Sequence, residues 1–157
     1  MLYLRRCNAY KTMKKFFSII ALFCACLTAL SAADSTSVIY RIRLDKDIDK
    51  ASQRLVVKGL ENAHKAHADY VLLDLDTYGG AVDAADSISS AILRYDIPVV
   101  AFVNMRAVSA GALISIACDS IYMKTGSSMG AATVVDPTGA VMPDKYQSFM
   151  RGMMRAT

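Results

Sequence analysis

From Val38 onward the chain carries apolar side chains in two rhythms. Val38, Tyr40, Ile42 and Leu44 alternate with Ile39, Arg41 and Arg43, and this period of two predicts a half-buried strand. Over 47–67, Ile48, Ala51, Leu55, Leu60 and Ala63 recur every three to five residues, which predicts a helix whose start carries Asp47 and Asp49. A short apolar run over 70–75, closed by Gly79-Gly80, predicts a buried strand. Ala81, Ala85, Ile88 and Ile92 share one face of a helix predicted over 81–94. A further buried strand follows over 98–103, a small-residue helix over 109–118 and a strand over 121–123. A loop containing Gly126, Gly130, Pro137 and Gly139 then leads to a helix that starts near Pro143. Strands alternating with helices predict one α/β domain with mainly parallel core strands.

Before Val38 the pattern changes. Residues 16–30 are nearly all apolar, preceded by Lys14-Lys15 and followed by Ser31-Ala32-Ala33, the three parts of a secretory leader. The run falls short of the roughly 20 residues a membrane span needs. We therefore expect a leader over 1–33, cut after Ala32 or Ala33, and a domain over 34–157. The alternatives are an uncleaved anchor and lipidation at Cys26, whose flanking residues fit a lipobox poorly. Met13 begins a tidier leader than Met1 does. The pattern at Thr157 is still helical and has no stop signal, so we expect the domain to be incomplete there.

Charge and cysteine content divide at the same place. The chain's formal charge of +4 rests on five basic residues and no acid within the leader, whereas 34–157 holds 13 Lys and Arg against 14 Asp and Glu. No basic face for nucleic acid is implied. A hydrophobic content of 54% excludes intrinsic disorder. Cys7, Cys24 and Cys26 precede the domain, and Cys118 alone remains, so the domain has no intrachain disulfide framework and Cys118 reads as a core thiol.

Two segments carry candidate chemistry at the carboxyl ends of predicted strands, where α/β folds collect ligands. Asp76-Thr77-Tyr78-Gly79-Gly80 leaves a strand through paired glycines, either to let the backbone approach a ligand or simply to turn. Val108-Ser109-Ala110-Gly111-Ala112 sets a serine at the start of a helix. Ser109 is there either an N-cap or a nucleophile beside a free N–H. The only histidines, His64 and His67, fall at the opposite end of a strand of about 20 Å, too far for a Ser-His pair and too few for zinc. The remaining bases are lysines. Lys124 follows the 121–123 strand. Lys145 sits among Val141, Met142, Tyr146 and Phe149, surroundings that favour a neutral amine, although a surface lysine near a helix start fits the spacing equally. Asp74 and Asp76 share a strand face without a third ligand, so they read as turn and edge residues and no metal site is expected.

Taken in order, the stretch from Leu73 to Gly80, the strand beginning Ile97-Pro98, the Ala107-Val108-Ser109-Ala110-Gly111-Ala112 segment and Gly126-Ser127-Ser128-Met129-Gly130-Ala131-Ala132 resemble the NfeD family. These are membrane-bound serine proteases of the ClpP class, related to signal peptide peptidase A. The resemblance runs from Val38 to the end of the chain. It implies a ClpP/crotonase-like α/β fold and a serine endopeptidase with a Ser-Lys dyad, without a cofactor. Ser109 matches the nucleophile and Lys145 the general base. Gly80 and Ala110 match the oxyanion-hole amides, with Gly79 and Tyr78 at the substrate edge. It further implies cleavage of hydrophobic segments in stomatin-like membrane proteins, assembly as a dimer or higher oligomer, and a membrane-associated, extracytoplasmic full-length form. Tyr78 departs from the family pattern, which has a proline there, and family members continue beyond the point where this chain stops. Two other functions remain open: a catalytically silent exported module that binds a membrane scaffold protein, and an acyl-CoA crotonase, which a secretory leader disfavours.

Overall fold

A computed structural model describes residues 36–157, so the expected leader lies outside the described residues. The alternating segment forms β1 (Ile39–Leu44), with Ile42 and Leu44 buried and Arg41 and Arg43 exposed. Helix α1 spans Lys50–Lys65. It starts three residues later than its periodicity suggests, because the Asp49 carboxylate accepts from the Ser52 N–H at 2.7 Å and makes Asp49 the N-cap. After α1 the chain turns through His67 at φ 51°, and His64 and His67 are both exposed.

Strand β2 (Tyr70–Thr77) is followed by α2 (Val82–Leu93), β3 (Val99–Val108), α3 (Ala110–Ile116) and β4 (Ser120–Met123). Beyond these lie β5 (Ser128–Gly130) and α4 (Asp144–Ala156). The sheet runs β1-β2-β3-β4 and every ladder is parallel. With strands in sequential order, right-handed crossovers stack α1, α2 and α3 on one face. Val71, Leu73 and Leu75 of β2 pack there beside Val99, Ala101 and Val103 of β3. Val56 and Leu60 of α1, Ile88 of α2, and Leu113 and Ile114 of α3 cover them.

Two departures from the expected elements shape the site. Strand β3 runs five residues past 103 and ends directly against Ser109. Its first half pairs with β4 and its last three residues with β5, a strand within a stretch expected to be loop. Between Leu75 and Thr77 the β2–β3 register shifts, so that Leu75 faces Val103 while Thr77 faces Ala107. This irregularity re-aims the end of β2 toward the serine turn. Asp74 and Asp76 are therefore strand residues, not turn residues. Asp74, only 3% exposed, is held by Arg41, and Asp76 by Arg106 at 3.0 Å.

Candidate active site

Ser109 joins β3 to α3 with φ 53° and ψ −114°. A residue with a Cβ reaches positive φ at a cost, and such strain persists only where the surroundings enforce it. The enforcing contacts are clear. The Ser109 N–H donates to the Gly130 carbonyl at 2.7 Å, tying the turn to the end of β5. On the other side, a Cβ added to Gly79 would meet the Ser109 Cβ at 2.8 Å and the Val108 carbonyl oxygen at 2.9 Å. Gly79 also sits at φ +109°, so glycine is required there for both space and conformation. The Ser109 side chain makes no capping hydrogen bond, which removes the ordinary N-cap role.

The neighbouring amides are left open by the same geometry. Ile48 lies beside Gly80 as an isolated parallel bridge: the Ile48 N–H donates to the Gly79 carbonyl at 2.8 Å, and the Ala81 N–H donates to the Ile48 carbonyl at 2.7 Å. The Gly80 N–H takes no part and has no acceptor among the described residues. Ala110 is the first residue of α3, where an N–H has no intrahelical acceptor. Tyr78, Gly80 and Ser109 line one cavity of about 610 Å³, together with Val82, Val134 and Met150.

Lys145 is placed differently. It lies exposed in the first turn of α4, with Nζ 4.9 Å from the centre of the Tyr146 ring, and no hydrogen bond joins it to Ser109 among the described residues. It lines an adjoining cavity of about 620 Å³ that shares Val82, Val134 and Met150 with the serine cavity. Lys124 is occupied elsewhere, its Nζ 3.4 Å from the Asn104 side-chain oxygen. The structure thus gathers Tyr78, Gly79, Gly80, Ser109 and Ala110, and sets Lys145 one cavity away. Among the described residues, no group of three His, Cys, Asp or Glu could hold a metal.

Sequence reasoning missed two sets of contacts. Arg106 stacks over the Tyr78 ring at 4.2 Å and donates to both the Tyr78 hydroxyl and Asp76, which fixes the ring at the cavity mouth. Gln147 reaches from α4 to the backbone of Val134. Neither is visible as a local pattern, since the partners are 28, 30 and 13 residues apart.

An all-parallel sheet whose inner strand ends in a strained serine beside a glycine pair is an α/β fold of the ClpP-like kind. Solved structures agree on the fold. The chain is similar to the 1510-N membrane-bound stomatin-specific protease, solved as a lysine-to-alanine mutant in complex with a substrate peptide. The TM-score is 0.72 and the identity 23%, over 78% of this chain and 59% of that one. It is also similar to the 1510-N membrane protease specific for a stomatin homolog from Pyrococcus horikoshii, with TM-score 0.62 and 22% identity over 77% and 58%. ClpP1 from Listeria monocytogenes matches with TM-score 0.57 and 21% identity over 71% and 65%. Within that fold the chain belongs to the NfeD1b N-terminal-domain family, whose model matches residues 38–157. It is 40% identical over 119 residues to the membrane protein NfeD1b of Bacillus subtilis (strain 168), covering 76% of this chain and 27% of that protein. The chain therefore spans about a quarter of the length of this curated relative.

Proposed function

We propose that this chain is a serine endopeptidase domain in which Ser109 is the nucleophile and Lys145 the general base. The observation that carries the reading is the enforced strain at Ser109. A hydrogen bond to Gly130 and the close approach of Gly79 hold a serine at φ 53° with its hydroxyl uncapped, beside two amides without acceptors. A structural serine gains nothing from that conformation, whereas a nucleophile gains exposure. In the reaction, Ser109 Oγ attacks a peptide carbonyl and its proton passes to the neutral Lys145 amine. The Gly80 and Ala110 N–H groups hold the oxyanion; as it collapses the C–N bond breaks and the leaving amine takes the proton from Lys145. Water, giving its proton to Lys145, then hydrolyses the acyl-enzyme and restores Ser109. Lys145 must leave the Tyr146 ring to take part. It stands on the first turn of α4, in a cavity that shares Val82, Val134 and Met150 with the serine cavity.

The substrates we propose are hydrophobic segments of membrane-associated, stomatin-like proteins. The apolar walls formed by Val82, Val134 and Met150 suit them, as does the stomatin specificity of the 1510-N protease. A secretory leader over 1–33, a protease domain over 34–157, membrane association on the extracytoplasmic side and assembly as a dimer or higher oligomer complete the proposal. The B. subtilis relative is a membrane protein. Among the described residues no helix is long and apolar enough to cross a membrane. One observation favours a silent binding module instead, namely that Lys145 rests over the Tyr146 ring and makes no hydrogen bond to Ser109 among the described residues.

Variants separate the two readings. Ser109→Ala, Lys145→Ala and Lys145→Arg should each abolish cleavage of apolar peptides while peptide binding persists, because hydroxyl and base act as one unit and a guanidinium does not deprotonate near neutral pH. Cleavage by Lys145→Arg at the parent rate would remove the dyad.

A further inference from the structure

The Gln147 side chain closes an otherwise unfinished strand pairing. Val135 and Val141 form an antiparallel bridge, in which the Met142 N–H donates to the Val134 carbonyl at 3.0 Å and the Asp136 N–H donates to the Ala140 carbonyl at 2.9 Å. The second bond of the Val134–Met142 pair, from the Val134 N–H to the Met142 carbonyl, is not made, and at Pro143 the chain turns into α4. Gln147 takes over the pairing. Its side-chain oxygen accepts from the Val134 N–H at 2.9 Å, and its side-chain nitrogen donates to the Val134 carbonyl at 2.7 Å and to the Met142 carbonyl at 3.0 Å.

Successive residues of an extended segment aim their backbone groups to opposite sides. With Val134 and Asp136 turned toward the returning strand, Thr133 and Val135 turn the other way. Their N–H and C=O groups make no hydrogen bond among the described residues. Thr133, Val134 and Val135 line the Ser109 cavity together with Gly80 and Val82. The edge beside the serine is therefore an open strand edge, and one amide side chain holds it against α4, the helix that carries Lys145.

We propose that Gln147 is a positioning residue: by gripping both backbone groups of Val134, it sets the open Thr133–Val135 edge at the register and distance needed to pair an extended peptide across Ser109. This rests on the peptidase reading for its substrate, but it concerns peptide affinity and can be measured without chemistry. The contact is specific to a carboxamide. A carboxylate keeps the acceptor but replaces the donor nitrogen with one lone-pair-bearing oxygen that faces both the Val134 and Met142 carbonyls, and leucine removes both functions.

The test compares the chain with its Gln147→Leu and Gln147→Glu variants on an extended apolar fluorogenic peptide. Thermal midpoints are recorded alongside. A purely structural role lowers the amount of folded protein, which reduces the maximal rate and leaves KM unchanged. Positioning of the edge raises KM instead, by roughly tenfold for Gln147→Leu if about 1.4 kcal/mol of pairing is lost, with kcat within about threefold of the parent. Gln147→Glu, close in shape, should raise KM in the same direction. The same peptide, labelled and titrated into Ser109→Ala and Ser109→Ala/Gln147→Leu, should show the same tenfold difference by fluorescence anisotropy. If the parent fails to cleave but the anisotropy difference is present, the peptidase reading fails and the Gln147 assignment stands. Equal affinities, an unchanged KM in both variants, or no peptide binding by Ser109→Ala would overturn the assignment.

Discussion

Replacing Gly79 with alanine adds a single methyl group at the point where the glycine turn meets the serine turn. The new Cβ would lie 2.8 Å from the Ser109 Cβ, 2.9 Å from the Val108 carbonyl oxygen and 3.2 Å from the Ala110 nitrogen. Two of these contacts are with backbone atoms, which cannot swing aside as a flexible side chain can. The backbone at φ +109° adds a second penalty, because a residue with a Cβ is strained there. Conformational strain of this kind costs about 1–3 kcal/mol, and overpacking a filled site costs about 1–3 kcal/mol more. The sum, about 2–6 kcal/mol, is a large part of the roughly 5–15 kcal/mol that keeps a domain folded. Gly126→Ala provides the control, since Gly126 also has positive φ, at +84°, but no atom lies within 4 Å of its added Cβ. That variant should lose only the backbone term, about 1–2 kcal/mol. Thermal unfolding followed by circular dichroism reads the difference: Gly79→Ala should melt at least about 5 °C below Gly126→Ala. Below its melting temperature, Gly79→Ala should cleave peptide at least about 100-fold more slowly than the parent, because relief of the clash displaces Ser109 from between the open amides. Equal melting temperatures for the two variants, or parental cleavage by Gly79→Ala, would refute the claim that Gly79 enforces the serine geometry.

The buried Asp74 carboxylate predicts an asymmetry between two arginines of β1. Arg41→Ala strands Asp74 without its partner and should cost about 1–3 kcal/mol. Arg43→Ala, whose partner Asp45 is solvated, should cost less than about 1 kcal/mol. Equal melting temperatures for these variants would contradict the assignment of Asp74 to the interior. Cys118 gives a pH prediction: burial, with help from the nearby Asp119 charge, pushes its thiol up to about 12. Because the folded value lies above the unfolded one, this group's contribution to stability is complete below about pH 9. It is lost as the pH rises toward 12. In a chain with Cys7, Cys24 and Cys26 replaced by serine, a disulfide reagent at pH 8 should react with the half-buried Cys118 far more slowly than after denaturant is added. Prompt reaction in the native state would contradict its burial.

The alternation of Tyr40, Ile42 and Leu44, the apolar run before Gly79 and the three-to-five spacing in α1 and α2 made the β-α-β order legible from sequence, because each is a local pattern. The far half of β3 was not legible. Asn104, Met105 and Arg106 break the apolar run, and the strand continues there because β5 and the end of β2 supply its hydrogen bonds. β5 itself is three residues long, and no periodicity can mark so short a strand. At the site, the glycine pair and Ser109 were visible as motifs, but the choice between capping and nucleophilic roles needed the backbone angles at Ser109. The separation of Lys145 from Ser109 depends on how α4 meets the 133–142 hairpin. Part of that arrangement is the set of hydrogen bonds made by Gln147, a residue no motif singled out.

The most direct test of the central claim is incubation of the chain with a library of apolar peptides, with products read by mass spectrometry beside the Ser109→Ala variant. The account predicts discrete cleavage products from the parent, an acyl adduct on Ser109 in acid-quenched samples, and neither from the variant. Equal product yields from parent and variant, or no product from parent chain shown to be folded and to bind the peptides, would contradict Ser109 as a peptidase nucleophile.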